Sequence, residues 1–172
     1  LRLCAALGRY WNIRCYWLEG SKWLVSTLSK STQTPSSAEN TARLKALYHD
    51  AEIASSLDDF ERMITSAKLS LKLAKEGTDR LETAIAGLYV GRALKRQGEH
   101  NQAATIMQES LSEFRMLNAS YWEAQTYRWL SEILVARGDI TIFERISQNL
   151  KLARIAGERL TLANSLVGYA GI

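Results

Sequence analysis

Histidines and paired carboxylates are the residues of this sequence whose side chains could transfer a proton or ligate a metal. The two histidines, His49 and His100, are 51 residues apart and belong to no histidine and cysteine cluster with zinc-site spacing. We interpret His49 as a groove or turn residue and His100 as a turn residue. The adjacent carboxylates Asp58 and Asp59 fall at a predicted turn, where helix capping explains them. The sequence therefore predicts no catalytic residue, no metal and no cofactor, and an enzyme is the least expected class.

The two cysteines could form a disulfide or supply a reactive thiol. Cys4 and Cys15 lie 11 residues apart on what the pattern predicts to be one helix, which would separate their Cα atoms by about 16 Å. That distance excludes a bridge between them, so we expect both to pack as small apolar groups. The glycines never fall into the spacing of a phosphate-binding loop.

Composition favours an all-α protein. Apolar residues make up 47% of the 172 residues and charged residues 23%, as in ordinary folded domains. A single proline, Pro35, leaves almost nothing to interrupt helices. No run approaches the roughly 20 apolar residues of a membrane span, and no signal-peptide pattern is present. We therefore expect a cytoplasmic protein without membrane contact.

The net charge and the ends of the sequence indicate which partners and flanking segments to expect. The net charge of +4 permits weak attraction to acidic partners, but it lacks the concentrated basic stripe of a nucleic-acid module, so no direct DNA contact is expected. The chain opens with Leu1 and both starts and stops inside helical pattern. We expect a fragment of a longer protein.

The sequence repeats with a period of 40 residues. The turn at 57–60 returns at 97–100 and at 137–140, and the first copy is offset by 43 residues. The extra residues of the first copy fall in the segment 31–41, the one predicted loop. A single helix pair cannot bury its apolar face, so the copies must stack into one domain spanning 1–172. The predicted copies are 1–37, 38–79, 80–119, 120–158 and a partial 159–172.

Each copy is predicted to be a helix, a tight turn and a second helix. The predicted helices are 1–15, 19–30, 38–56, 60–76, 80–97, 100–116, 120–137, 141–156 and 159–172. Reciprocal caps between a short polar residue and a glutamate three positions later mark their starts. The candidates are Asp58 with Glu61, Asp79 with Glu82, Ser120 with Glu123, and Thr141 with Glu144. Small residues are interpreted as contact points within the helix pairs: Gly8, Ala51, Gly91, Ser131 and Ala103.

The residues in these positions resemble the tetratricopeptide pattern. In the first copy the matching residues are Leu7, Gly8, Trp11, Gly20, Leu24 and Thr27, and in the third Gly91, Gly98, Ala103 and Leu111. The resemblance implies a right-handed α-solenoid of antiparallel helix pairs, with about four repeats and the first helix of a fifth. Asp50 departs from the pattern at a normally apolar position. Phe143 and Leu150 depart in the fourth copy, which predicts a second helix there that is either shifted or one residue short.

A second resemblance, on shorter stretches, is to the sensor region of large bacterial signalling ATPases and LuxR-type transcriptional regulators. The matching stretches are Asp59-Phe60, 108–111, and Leu152-Ala153-Arg154 followed by Gly157. It implies a partner-sensing arm that adjoins ATPase and DNA-binding domains of the same chain.

The tetratricopeptide resemblance also implies a concave groove lined by the first helix of each copy. Projected onto this sequence, the groove residues are Arg9, Asn12, Tyr48, Glu52, Leu88, Arg92, Lys95, Arg96, Gln125, Arg128 and Glu132. Guanidinium groups on rigid helices can grip carboxylate or phosphate through paired hydrogen bonds, so Arg9, Arg92 and Arg128 suit an acidic protein or peptide ligand. The alternative is a solvated charged face.

Three further interpretations remain open at this stage. A peptide-pheromone receptor would bind a short ligand inside the superhelix and change its curvature. An RNA-binding helical repeat would read one base per copy with side chains at fixed positions, yet the corresponding residues vary: Arg9, Glu52, Arg92 and Glu132. Trp11, Trp17 and Trp23 are expected either to pack in the core or to form an exposed patch facing a neighbouring domain.

Overall fold

The computed structural model describes residues 1–30, 36–136 and 142–155, and within them the chain forms eight α-helices and no strand. The helices are α1 (Arg2–Ile13), α2 (Trp17–Leu28), α3 (Ser37–Ser56), α4 (Phe60–Glu76), α5 (Arg80–Arg96), α6 (His100–Met116), α7 (Ser120–Ala136) and α8 (Ile142–Ile155). The all-α prediction is confirmed. The ninth predicted helix and part of the loop at 31–41 lie outside the described residues.

Consecutive helices pair, and the pairs stack into an α-solenoid. The first helices α1, α3, α5 and α7 lie side by side. Each second helix packs on its own partner, and α2, α4 and α6 pack also on the next first helix. The buried apolar residues form two clusters, one joining α1, α2 and α3 and the other running from α3 to α7. The first helices thus form a continuous wall, which is the element that carries the candidate site.

One turn geometry ends the first helix of three copies. Cys15, Asp58 and Gly98 occupy corresponding positions, and all have positive φ, of 56°, 57° and 83°. The residue after each donates its backbone N–H to a carbonyl five residues back: Tyr16 to Trp11 at 2.8 Å, Asp59 to Ala54 at 2.9 Å and Glu99 to Leu94 at 3.0 Å. This is the Schellman hydrogen-bond pattern, which satisfies the last carbonyls of a helix.

The same turn corrects two sequence predictions. Cys15 lies in the turn after α1 and is exposed, whereas Cys4 is buried within the helix, so the two are not on one helix; neither forms a disulfide. Asp58 adopts the left-handed conformation, and the residue that caps α4 is Asp59, whose Oδ1 accepts the backbone N–H of Arg62 at 3.2 Å.

The remaining predicted caps have mixed outcomes. Asp79 forms its half of the predicted reciprocal cap on α5, accepting the backbone N–H of Glu82 at 3.1 Å, whereas Oε1 of Glu82 lies 2.9 Å from Nζ of Lys45. Ser120 is the first residue inside α7, and the N–H of Glu123 bonds to the carbonyl of Ala119 instead. A complete reciprocal cap that the sequence reasoning missed joins Ser36 and Glu39 at the start of α3. The cap predicted at Thr141 lies outside the described residues.

Gly91 and Gly8 were both predicted to contact the second helix of their own pair, and the structure places only Gly91 in such a contact. Within the pair α5 and α6, a Cβ added at Gly91 would lie 2.6 Å from Met107, as expected for an intra-pair crossing. At Gly8 it would lie 2.2 Å from the ring of His49 on α3. The prediction that Gly8 contacts its own pair partner is therefore wrong: this glycine lets the first helix of the next copy approach.

The three tryptophans of the first copy divide between the two expected environments. Trp11 is buried in the core, Trp17 packs against it from a partly buried position, and Trp23 is 57% exposed. None of the described helices is both long and apolar enough to cross a membrane.

Asp50 is buried on α3, and its carboxylate has polar neighbours on α4. Oδ2 accepts a hydrogen bond from the hydroxyl of Ser66 at 2.6 Å and lies 3.7 Å from Nε of Arg62. Burial raises the pKa of Asp50 above its ordinary 3.8, and the Ser66 hydroxyl and the Arg62 charge oppose that rise. The departure from the tetratricopeptide pattern is therefore a polar link between the helices of the second copy.

We predict that Gly8→Ala destabilises the fold. The new methyl group meets the buried His49 ring, and overpacking of this kind costs about 1–3 kcal/mol, against a gain of at most about 1 kcal/mol in helix propensity. Urea unfolding measures the difference. Gly77→Ala is the matched control, because the added Cβ meets only the Ala74 carbonyl oxygen at 3.5 Å. Equal stability of the two variants would contradict the close approach at Gly8.

We predict that Asp50→Asn gains stability relative to the parent as pH rises above 3.8. A pKa that is higher in the folded than in the unfolded chain means that the folded protein binds the proton more tightly, so the contribution of Asp50 is full below 3.8 and declines as pH rises through the folded-state pKa. Asparagine does not titrate. Urea titrations of both proteins between pH 3 and 7 test this, and a pH-independent difference would rule out burial as the controlling effect.

Candidate functional site: the concave groove

A cavity of about 470 Å³ opens between the four first helices. It receives side chains from α1, α3, α5 and α7, so every complete copy contributes to its wall. Its lining residues are Arg9, Asn12, Ile13, Tyr48, His49, Glu52, Ser55, Ser56, Tyr89, Arg92, Tyr121, Trp122, Gln125, Arg128 and Trp129. We call this cavity the groove.

Seven of the eleven predicted groove residues line it, all eleven being in the described part of the chain. They are Arg9, Asn12, Tyr48, Glu52, Arg92, Gln125 and Arg128. Lys95 and Glu132 lie at its edge: Lys95 Nζ bonds to Glu132 and stands 5.0 Å from the centre of the Trp129 ring. His49 lines the groove, which agrees with one of the two roles expected for it.

Two predicted residues are placed elsewhere. Leu88 is 2% exposed and belongs to the hydrophobic core. Arg96 points to the turn between α3 and α4, where its guanidinium lies 4.3 Å from the centre of the Phe60 ring and 3.7 Å from Oδ1 of Asp58. Leu88 is enclosed in the core cluster, and Arg96, two turns further along α5, lies beyond the groove.

Glu52 is the acidic centre of the groove. The hydroxyl of Tyr89 donates a hydrogen bond to Oε2 at 3.1 Å, Arg92 Nη1 lies 3.4 Å from Oε1, and His49 Nδ1 lies 3.8 Å from Oε2. Burial alone would raise the pKa of Glu52, but His49, Arg92 and Tyr89 together lower it to about 2. Glu52 is therefore ionised at any physiological pH and fixes the position of Arg92.

Arg92 is held between aromatic rings. Its guanidinium carbon lies 4.9 Å from the centre of the Tyr89 ring and 4.3 Å from that of Trp129, at cation–π distances. The residue is 8% exposed, and its Nε has no hydrogen-bond partner among the described residues. A guanidinium in this state retains unused capacity to donate a hydrogen bond.

Arg128 lies against the same indole. Its guanidinium carbon is 3.8 Å from the centre of the Trp129 ring, and its Nη1 is 3.5 Å from Oε1 of Glu132. Burial first, and then the charge of Arg92, lower the pKa of Arg128 to about 10. Arg92 therefore disfavours the charged form of Arg128, and an anion entering the groove would relieve that repulsion.

Aromatic side chains form much of the wall. Tyr48 and Tyr89 stack with ring centres 5.3 Å apart and planes 10° from parallel, and burial raises the pKa of both hydroxyls above 10. Arg9 reaches from the first copy to the fourth, with its guanidinium 4.6 Å from the centre of the Tyr121 ring. The groove is thus closed by a contact between copies that are far apart in sequence.

Sequence reasoning missed the residues that hold the arginines in place. Tyr89 and Trp129 follow His49 at intervals of 40 residues, and all three line the groove. The repeat period carried a signal for them, because one groove residue predicts its counterparts in later copies. Tyr121 and Trp122, at the start of α7, had no comparable signal.

A second and larger cavity, of about 670 Å³, lies between α4, α5 and α6. Its floor is made of small and apolar residues such as Ala84, Gly87 and Ile106, and its rim carries the exposed ion pair between Arg80 and Glu113, whose Nη2 and Oε2 are 2.8 Å apart. None of the predicted groove residues lies in it. Within the described ranges, no group of three histidine, cysteine or acidic residues is placed to hold a metal ion.

Comparison with solved structures gives matches at low sequence identity. The chain aligns with aspartyl phosphate phosphatase F from Bacillus subtilis (TM-score 0.74, 14% identity) over 94% of its own length and 42% of that protein. It aligns with a kinesin light chain of Podosopora anserina that has nearly identical TPR-like repeats (TM-score 0.69, 13% identity) over 96% and 81% of the two chains.

A third match is a structure solved with a peptide. The Rap conjugation gene regulator of the plasmid pLS20, in complex with the Phr* peptide, aligns with TM-score 0.56 and 14% identity over 94% of this chain and 55% of that one. The chain thus spans about half the length of the phosphatase and of the Rap regulator. No protein-family model and no curated protein matches the sequence.

At 13–14% identity these likenesses concern the fold. They agree with the stacked helix pairs, the turn that recurs with the repeat period and the tetratricopeptide-like residues of the sequence. The chain is a helical-repeat protein with the tetratricopeptide-like fold.

Proposed function

We propose that this protein is a scaffold that binds an acidic peptide or protein segment in its groove. The observation that carries the proposal is the pair of arginines, Arg92 and Arg128, placed in one cavity against one indole. Each has a buried Nε without a hydrogen-bond partner in the described part of the chain. Arg9 adds a third positive charge, while Glu52 is the one carboxylate among the described residues of the lining.

The groove also suits the rest of a peptide ligand. Its volume lies in the range of roughly 300–1,000 Å³ that is common for ligand sites. The polar side chains of Ser55, Ser56 and Gln125 lie in the lining beside the aromatic rings, which offer apolar surface. The solved complex of a similarly folded protein with the Phr* peptide supports a peptide as the ligand class.

A finer proposal concerns the biological role. We infer that the chain acts as the partner-sensing arm of a larger bacterial transcriptional regulator, on the resemblance of its repeats to the sensor regions of such proteins. A peptide-pheromone receptor is the second candidate, favoured by the peptide-bound Rap regulator. The two differ in the ligand: a protein partner in the first case, and a free short peptide in the second.

We propose binding without catalysis, although one similarly folded protein is a phosphatase. A general base works best when its pKa lies near the operating pH. Glu52 has a pKa of about 2 and is committed to Arg92, Tyr89 and His49. It is therefore a structural counter-charge and a weak proton acceptor.

We predict that Arg128→Gln weakens the binding of acidic peptides about tenfold or more, since a hydrogen bond to a charged group contributes about 1.5–3 kcal/mol. The probe is a set of fluorescein-labelled peptides rich in aspartate and glutamate, beside the same peptides with asparagine and glutamine. Fluorescence anisotropy measures both sets. The parent is expected to prefer the acidic set.

Arg80→Gln is the matched control. Arg80 lies in the cavity between α4, α5 and α6, so we expect this substitution to leave peptide binding unchanged. Neutral glutamine is preferable to charge reversal, since Arg128→Glu would place a second carboxylate beside Glu132, and like charges four residues apart on a helix are destabilising. Equal binding of the acidic and neutral sets, or equal binding by the parent and Arg128→Gln, would refute the proposal.

We predict that Glu52→Gln binds the acidic peptides more tightly, by up to about tenfold, or about 1.4 kcal/mol, while lowering stability. The change removes the counter-charge of Arg92 and leaves that guanidinium without its ion pair, which costs about 1–3 kcal/mol at neutral pH.

The pH dependence of stability checks that assignment. A carboxylate with a lowered pKa contributes stability that is full above 4.5 and is lost as pH falls toward 2. The stability difference between the parent and Glu52→Gln should therefore shrink over that interval in chemical unfolding experiments. A variant that binds acidic peptides more weakly than the parent would contradict the role of Glu52 as a counter-charge.

A further inference from the structure

The charges of the groove indicate how much negative charge its ligand carries. The charged residues of its described lining are Arg9, Arg92, Arg128 and Glu52. Three arginines against one glutamate leave two positive charges while His49 is neutral, and the ion pair of Lys95 with Glu132 at the edge adds no net charge. One carboxylate would neutralise half of that excess. A phosphate monoester carries about −1.5 to −2 charges at pH 7 and would neutralise nearly all of it.

The two buried arginines also keep hydrogen-bond donors that no described residue uses. Nε of Arg92 and Nε of Arg128 are both buried and lack an acceptor among the described residues. The contact of each guanidinium with a carboxylate is made by Nη1, at 3.4 Å to Glu52 and at 3.5 Å to Glu132. A guanidinium binds an oxyanion most strongly through two parallel N–H groups. Both arginines therefore retain a donor for an incoming oxyanion.

One indole brings the two cations close enough to share a single anion. The guanidinium carbons of Arg92 and Arg128 lie 4.3 Å and 3.8 Å from the centre of the Trp129 ring. The charge of Arg92 is felt at Arg128, whose pKa it helps to lower. A carboxylate has two oxygens in one plane, whereas a phosphate monoester has three strong acceptor oxygens that point in different directions. The phosphate can therefore accept hydrogen bonds from both arginines at once.

The aromatic rings of the groove are engaged by neighbouring side chains, which argues against nucleotide bases as the ligand. Tyr48 and Tyr89 stack on each other. Arg92 lies over the Tyr89 ring. Arg9 lies over the Tyr121 ring. Single-stranded nucleic acids bind by stacking their bases on open aromatic faces, and each of their backbone phosphates carries one negative charge. A peptide with a phosphorylated side chain fits the groove better than an RNA segment.

We propose that the anionic group bound in the groove is a phosphate monoester on a peptide side chain, such as phosphoserine, recognised by Arg92 and Arg128. This inference rests on the proposed function, because it names the anion that the peptide scaffold binds. Arg9 supplies the third positive charge. Tyr48 can add a neutral donor, since burial raises its pKa and its hydroxyl keeps the proton.

Fluorescence anisotropy with three versions of one otherwise uncharged peptide tests the proposal. The versions carry phosphoserine, glutamate or serine at the same central position. We expect the phosphoserine peptide to bind about tenfold more tightly than the glutamate peptide at pH 7.5, or by about 1.4 kcal/mol, and inorganic phosphate to compete. Arg128→Gln should lose this preference. Arg80→Gln, in the cavity between α4, α5 and α6, should keep it, and circular dichroism checks that both variants fold.

The pH dependence of the preference is an independent readout. The second pKa of a phosphate monoester is about 6 and that of a glutamate side chain about 4.3. Between pH 7.5 and pH 5 the phosphoserine peptide therefore loses most of one charge, whereas the glutamate peptide keeps most of its charge. The preference should shrink at pH 5. Protonation of His49 would strengthen both peptides there, because both then carry about one charge, and so leaves their ratio unchanged.

Equal affinity for the phosphoserine and glutamate peptides at pH 7.5, or a preference that persists in Arg128→Gln, would overturn this inference. The proposed function then stands if acidic peptides still bind more tightly than neutral ones. If no anionic peptide binds, both fail. A single-stranded RNA oligomer that binds more tightly than the phosphoserine peptide, and displaces it, would assign the groove to nucleic acid instead.

Discussion

The left-handed turn that ends α1, α3 and α5 is the constraint on which the architecture depends. Cys15, Asp58 and Gly98 reverse the chain with the same backbone geometry and the same hydrogen bond across five residues, so α2, α4 and α6 each start from the same turn. The first helices line up as one wall. The groove exists because this wall is concave and continuous over four copies.

Within that wall, charge is organised by aromatic rings rather than by ion pairs alone. Trp129 lies close to Arg92, Arg128 and Lys95 together, and the electron-rich face of an indole tolerates cations that would otherwise repel one another. Glu52 neutralises part of this positive charge and holds the Arg92 guanidinium in place. The result is a buried surface that carries positive charge and can remain folded without a ligand.

The repeat period, the helix pairs and most helix boundaries could be predicted from the sequence, because they depend on local patterns that recur along the chain. The contacts of Gly8, Leu88 and Arg96 could not. A projection from one copy to the next fixes a position on a helix, whereas burial also depends on the neighbours on either side. Leu88 corresponds to Tyr48 and Arg128 by spacing, and Tyr48 belongs to the same buried cluster. Tyr48 nevertheless lines the groove, whereas the shorter Leu88 does not. The cap at Asp59 was misplaced by one residue, since two adjacent aspartates satisfy the same pattern.

The division of the hydrophobic core has a consequence for how the protein opens. The cluster formed by α1, α2 and part of α3 is separate from the cluster that runs from α3 to α7. In helical repeats stability is close to a sum of unit and nearest-neighbour terms, so the first helix pair can unfold locally while the remaining core stays intact. Arg9 and Asn12 are carried by that pair. Detachment of the first pair would therefore remove one wall of the groove and make access to it a local folding equilibrium.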